Sequence, residues 1–87
     1  MKKTKTKVEN LNGIVNQFKI RTDKGTYFQS YNSVIVFIDN NGNTFLDVNK
    51  WDYSSTTVKY RDLFLSEKTK DTQKKINTGE YKLIDLN

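Results

Sequence analysis

Apolar and polar residues alternate along Ile14-Val15-Asn16-Gln17-Phe18-Lys19-Ile20-Arg21. Ile14, Phe18 and Ile20 fall on one face and Gln17, Lys19 and Arg21 on the other, the period of a half-buried strand. Thr22-Asp23-Lys24-Gly25 reads as a type I turn with Gly25 in the left-handed position of a bulge. A second strand follows from Thr26 to Tyr31. The expected register sets Phe28 across from Ile20 on the core face, with Tyr27 opposite Arg21 and Gln29 opposite Lys19 on the other. Val34-Ile35-Val36-Phe37-Ile38 has no alternation and predicts a central strand covered on both faces. Asp39-Asn40-Asn41-Gly42-Asn43 separates it from Thr44-Phe45-Leu46-Asp47-Val48. Asn-Gly between apolar runs predicts a type I′ hairpin.

After Trp51-Asp52-Tyr53 the period lengthens. Ser54 or Ser55 can cap a helix with Val58, Tyr60, Leu63 and Phe64 as its apolar positions, and Asp52 reads as a buried capping residue. Ser66 is the expected cap of a second helix and Gly79 its stop, with Lys74 and Lys75 in the last turns. That helix is almost wholly polar, with only Ile76 and the Thr72 methyl to bury. Glu80 to Leu86 returns to apolar alternation and predicts a closing strand. The order β-β-β-β-α-α-β describes an α+β domain: a mainly antiparallel sheet of four to five strands, in two hairpins, with two short helices on one side. Trp51 is expected at the core centre with Phe18, Ile20, Phe28, Val36, Ile38, Phe45, Tyr60 and Phe64.

Length and charge refine this picture. At 87 residues the chain is one domain with a thin core. Only 34% of residues are apolar, but five Phe, five Tyr and one Trp supply enough bulk to close a core. Lys2, Lys3, Lys5 and Lys7 hold four of the fifteen basic residues, and no acid lies among residues 1–7; the other eleven basic residues face ten acids. The net charge of +5 therefore belongs mostly to a basic, flexible tail over residues 1–10, followed by a nearly neutral domain over 11–87. Such a tail serves either as a solubilising end or as a contact to phosphate backbones. No apolar segment approaches the length of a membrane span or follows the basic start as a secretory signal does, so a cytoplasmic location is expected.

The stretches Trp51-Asp52-Tyr53-Ser54-Ser55-Thr56-Thr57-Val58-Lys59-Tyr60-Arg61-Asp62-Leu63-Phe64-Leu65, Thr26-Tyr27-Phe28-Gln29-Ser30-Tyr31 and Gly79-Glu80-Tyr81-Lys82-Leu83 resemble a family of short uncharacterised proteins encoded by phages and prophages of low-GC Gram-positive bacteria. The likeness covers roughly residues 14 to 87. It implies a viral accessory protein, a class that often blocks or redirects host machinery such as restriction and CRISPR nucleases. It carries over no functional residue.

Catalysis is not expected. Without histidine or cysteine the chain lacks the usual general base at neutral pH, a thiol nucleophile and a His/Cys metal site. No carboxylates pair recognisably, the four isolated glycines form no phosphate loop, and Asp39 to Asn43 lacks the spacing of a calcium loop. No cofactor is expected. The candidate binding face is the outer side of the first hairpin, Lys19, Arg21, Tyr27, Gln29 and Tyr31, where tyrosines beside cations suit a protein partner or stacked bases. They also suit an ordinary solvated strand face. The polar second helix, with Glu67 expected to pair with Lys70 and Asp71 with Lys74 and Lys75, reads as a solvated surface. Three functions are compatible with these residues. The first is a non-enzymatic binding protein that inhibits or modulates a host protein or nucleoprotein. The second is a nucleic-acid-binding protein using Lys2, Lys3, Lys5, Lys7 and the hairpin face. The third is a small virion component.

Overall fold

The computed structural model describes residues 6–87. Six strands form one sheet in chain order: β1 (Lys7–Asn10), β2 (Gln17–Arg21), β3 (Gly25–Ser30), β4 (Ser33–Asp39), β5 (Thr44–Asp47) and β6 (Tyr81–Ile84). Helices α1 (Ser55–Leu65) and α2 (Thr69–Asn77) lie between β5 and β6. Neighbours are antiparallel except β5 and β6, which run parallel because the helical pair carries the chain back before β6 begins. The α+β class is as expected. The strand count is not: five strands precede the helices, and the additional one comes from residues assigned to the tail. Lys7 pairs with Arg21 and Val8 with Ile20, so the ordered sheet begins at Lys7.

The first hairpin is registered one residue away from expectation. Lys19 lies opposite Phe28, Ile20 opposite Tyr27, and Phe18 opposite Gln29. Because side chains alternate between faces, a one-residue slip reverses every orientation. Phe28 faces the helices, stacked on Phe64 of α1 at 5.5 Å between ring centres. Phe18 and Ile20 point the other way. The core is Leu11, Phe28, Ile35, Val36, Leu46, Trp51 and Tyr81, with Ile38, Tyr60, Phe64, Leu65 and Ile76 packed against it. Trp51, Phe28, Val36, Ile38, Tyr60 and Phe64 are where the sequence places them; Phe18, Ile20 and Phe45 are not. Ile35 has no partner on β3, since Phe28 pairs with Val36 and Gln29 with Val34. This bulge lets the consecutive residues Ile35 and Val36 both be fully buried.

The turns and helix ends follow local chemistry with three corrections. Gly42 donates its N–H to the Asp39 carbonyl, and Asp39 and Asn43 close the ladder. Gly42 has φ +86 while Asn41 does not enter the left-handed region, so the loop is a three-residue turn with a glycine bulge rather than type I′. The Asp39 carboxylate accepts from the Asn41 and Asn43 amides and the Asn43 side chain, and the Asn43 side chain foremost holds its pKa below the ordinary value. In α1 the cap is Ser54, whose Oγ accepts from the Thr57 N–H at 3.1 Å; Asp52 is exposed and plays no capping part. Ser66 ends α1 in a left-handed conformation, and Lys68 takes the cap position of α2. The C-terminal residue also completes the sheet. Val34 lies beyond the end of β5, and the Asn87 side chain meets its backbone N–H and carbonyl at 2.8 and 2.9 Å.

Gly25 holds the hairpin in place. A Cβ there would stand 2.2 Å from the Ile38 carbonyl oxygen, and its φ of +150 is one that side chains rarely adopt. At Gly42 the conformation is left-handed but the surrounding space is open. Gly25→Ala is therefore expected to destabilise by more than about 2 kcal/mol, and Gly42→Ala by about 1 kcal/mol, in urea unfolding at neutral pH. Equal losses at both sites would refute the backbone contact as the cause.

Candidate functional site

Both helices lie on one side of the sheet, where the side chains of Phe28, Val36, Leu46 and Tyr81 meet them. The other side is built from the alternate positions. Read across the strands, its central row is Val8, Ile20, Tyr27, Phe37, Phe45 and Lys82, each directly opposite the next. A second row contains Phe18, Gln29 and Val34. Val8 is 58% exposed, and Ile20, Tyr27, Phe37 and Phe45 are half-buried. Five strand spacings make the row about 24 Å wide. Among the described residues no helix packs on it.

The aromatic rings on this face cover one another. Tyr27 and Phe37 are stacked with centres 4.4 Å apart and planes 24° apart; Phe37 and Phe45 stand 6.0 Å apart at 17°. At 4.4 Å the Tyr27 and Phe37 rings turn their π-faces toward one another. Ile20 flanks the three rings at one end and Lys82 at the other. The acids on this side are engaged. Asp47 is 1% exposed and accepts from the Asn49 and Leu86 amides, while Asp39 holds its own turn.

The five residues proposed from the sequence do not form one surface. Tyr27 and Gln29 belong to the helix-free face. Lys19 and Arg21 lie on the opposite side, a direct consequence of the register. Arg21 approaches Glu9 of β1 at 3.7 Å, and Lys19 lines a shallow cleft with Thr26, Ile38, Asp39 and Phe64. Tyr31 sits at the tip of the β3–β4 turn, 53% exposed with a left-handed φ of 53. Its N–H donates to the Asn16 carbonyl and its carbonyl accepts from Gln29 Nε2. Lys7 belongs to β1, on the side of Arg21; Lys2, Lys3 and Lys5 lie outside the described residues. Phe37, Phe45, Ile20 and Lys82 were absent from the proposed face. For Phe37 a signal existed in the unbroken apolar run 34–38, but the cover expected on both of its faces is found on one, where the helices pack, and Phe37 on the other is half-buried.

A second concavity, of about 540 Å³, lies between the α1–α2 connection and α2. Glu67 forms its wall and joins three elements. Its carboxylate accepts from Lys75 Nζ at 2.8 Å, from the Tyr81 hydroxyl at 2.8 Å and from the Thr72 hydroxyl. The expected pairs of Glu67 with Lys70 and of Asp71 with Lys74 and Lys75 give way to this cluster. Burial pushes the Glu67 carboxyl up, but the hydrogen bonds from Lys75, Thr72 and Tyr81 outweigh it and hold the pKa below the ordinary 4.5. The hydrogen bond to Glu67 raises the Lys75 ammonium. Burial first, then Glu67, pushes the Tyr81 phenol up, opposite to what a proton-abstracting tyrosine needs. The cluster is a clasp between α2 and β6. Among the described residues no three acidic side chains gather to hold a metal ion, and no helix is long and apolar enough to cross a membrane.

Fold and site together define a small α+β protein with one aromatic sheet face left uncovered by the described residues. Residues 1–80 match the DUF8033 family of unknown function, and the chain belongs to that family. No curated protein and no solved structure matches it.

Because Glu67 ionises more readily in the folded state, its contribution to stability is complete above the unfolded carboxylate pKa and is lost as pH falls through the lowered folded value. Glu67→Gln is expected to lower the urea midpoint at pH 7 and to flatten the decline in stability below pH 4.5. An unchanged acid limb in the variant would show that other carboxylates set it.

Proposed function

We propose that the protein is a non-enzymatic accessory protein that inhibits or modulates a host protein or nucleoprotein by docking through its helix-free sheet face. The observation that carries this reading is the row Ile20, Tyr27, Phe37 and Phe45, aligned across four strands and left without a covering layer among the described residues. An apolar aromatic centre depleted of free charge is the composition of an interface core. Burying it in water-excluding contact stabilises a complex at roughly 25 cal/mol per Å² of apolar area. The resemblance to phage and prophage proteins of low-GC Gram-positive bacteria supports a partner in such a host cell, and interference with a defence nuclease is one form this takes.

Direct nucleic-acid binding has weaker support. Its proposed cations Lys19 and Arg21 lie across the sheet from Tyr27, and Tyr27 and Phe37 already cover one face of each other, where bases need open faces to stack. The tail lysines remain its argument, and Lys2, Lys3 and Lys5 lie outside the described residues.

The test is capture by the tagged protein from lysates of low-GC Gram-positive hosts, wild type against Tyr27→Ser, with folding of the variant checked by its urea midpoint. The expected result is a partner retained by wild type and lost by the folded variant. Retention that survives Tyr27→Ser, or no retained partner across the hosts, would overturn the docking face. Loss on removal of residues 2–5 alone, with nucleic acid as the retained material, would move the second reading ahead.

A further inference from the structure

We infer that the outer edge of β1 is a self-complementary contact, through which two copies of this chain join their sheets into one. It stands apart from the docking reading and needs no host partner.

The edge is open. β1 (Lys7–Asn10) ends the sheet and all four of its residues are exposed. Among the described residues no strand pairs with its outer side. Such an edge presents backbone N–H and C=O groups that a further strand can pair with, and the usual guard against this is a lysine or another charge on the strand. This edge carries both signs. Lys7 and Glu9 point to the helix side, level with Arg21 and Lys19, while Val8 points to the other side, level with Ile20.

The charges are unevenly matched within one copy. Lys7 lies directly opposite Arg21, a like-charge pair that weakens the β1–β2 pairing, and it forms no ion pair among the described residues. Glu9 meets Arg21 at 3.7 Å, with 42% of its side chain still exposed. An acid beyond the edge, level with Lys7, would give that lysine the partner that β2 does not.

Symmetry supplies it. Two copies of one edge strand lie side by side and antiparallel only about a two-fold axis normal to the sheet. That axis keeps both helix layers on the same side. Residues facing each other across it then point to the same side, so it passes through a residue and not between two. Centred on Lys7 or on Glu9, it sets like charges against each other. Centred on Val8, it sets Lys7 of each copy opposite Glu9 of the other, twice, with Val8 against Val8 on the helix-free side. Directly opposite side chains are about 5 Å apart at Cβ, and the like-charge diagonals about 7 Å, so attraction wins. β6, at the other edge of the sheet, has Lys82 and no acid within the strand, and so lacks this complement. The joined sheet has twelve strands, six from each copy. Its aromatic rows continue through the two valines for about 53 Å.

Sedimentation equilibrium of the full chain, over a hundredfold concentration range up to millimolar, is expected to show a weak dimer, because a four-residue edge is a small contact. The ¹⁵N amide shifts that change with concentration should be those of Lys7, Val8, Glu9 and Asn10. Lys7→Glu and Glu9→Lys each replace two ion pairs by two like-charge pairs and should weaken the dimer at least tenfold. Mixed in equal amounts, the two variants should associate about as strongly as wild type, since every Glu again faces a Lys. Lys7→Glu also relieves the pairing with Arg21, so its urea midpoint should hold or rise while the dimer is lost, an outcome that damage to the fold does not produce. A chain that stays monomeric throughout, or a dimer that Lys7→Glu leaves intact, would overturn the edge contact. So would concentration-dependent shifts at Tyr27, Phe37 and Phe45 in place of β1, which would seat the second copy on the aromatic face.

Discussion

The register of the β2–β3 hairpin governs everything else in this molecule. It is held by a turn in which the Thr22 N–H and hydroxyl both donate to the Gly25 carbonyl, at 2.8 and 3.1 Å, and by Gly25 lying against the backbone of Ile38 too closely for any side chain. With that register, Phe28 points at the helices and Ile20 and Tyr27 point away. Displaced by one residue, the strands would send the opposite sets of side chains inward. A single close backbone contact thus decides which aromatic residues make the core and which make the open face.

The helical layer depends on polar contacts to an unusual degree for a small domain. Arg61 of α1 is fully buried, its guanidinium 5.1 Å from the Trp51 ring centre and donating to the Trp51 carbonyl, Asp62 and Thr69. Glu67 gathers Lys75, Thr72 and Tyr81 on the other flank. A buried charge of this kind adds little net stability over an apolar core, yet removing one partner leaves an uncompensated charge and costs several kcal/mol. Its effect is specificity: α1, α2 and β6 are located by directional bonds where α2 offers almost nothing apolar to bury. Positioning both helices on one side leaves the other side of the sheet bare.

That bare side explains the composition of the strands. Val34 to Ile38 is apolar at every position, and Phe45 and Leu46 are apolar on consecutive, opposite-facing positions. One face of this pattern is satisfied by the helices. The other is served by ring stacking, which shields part of each ring without covering the row. An uncovered apolar surface is a free-energy reservoir for association. The family to which the chain belongs is one of unknown function.

Local chemistry was legible in the chain. The turn at Asn41-Gly42, the stop at Gly79, the cap at Ser54, the two helices and the closing strand all follow from residues whose backbone preferences act over a few positions. So did the burial of Trp51 and Phe28. The sixth strand was not legible, because Lys7 to Asn10 carries no apolar alternation of its own and is held by pairing with β2. Nor was the division of the proposed face, with Tyr27 on one side and Lys19 and Arg21 on the other. Both Ile20 and Phe28 are apolar, so the alternation in each strand is satisfied in either register, and pattern alone cannot choose between them. The choice falls to a contact between Gly25 and a strand thirteen residues further on, and contacts of that range exist only once the sheet has formed.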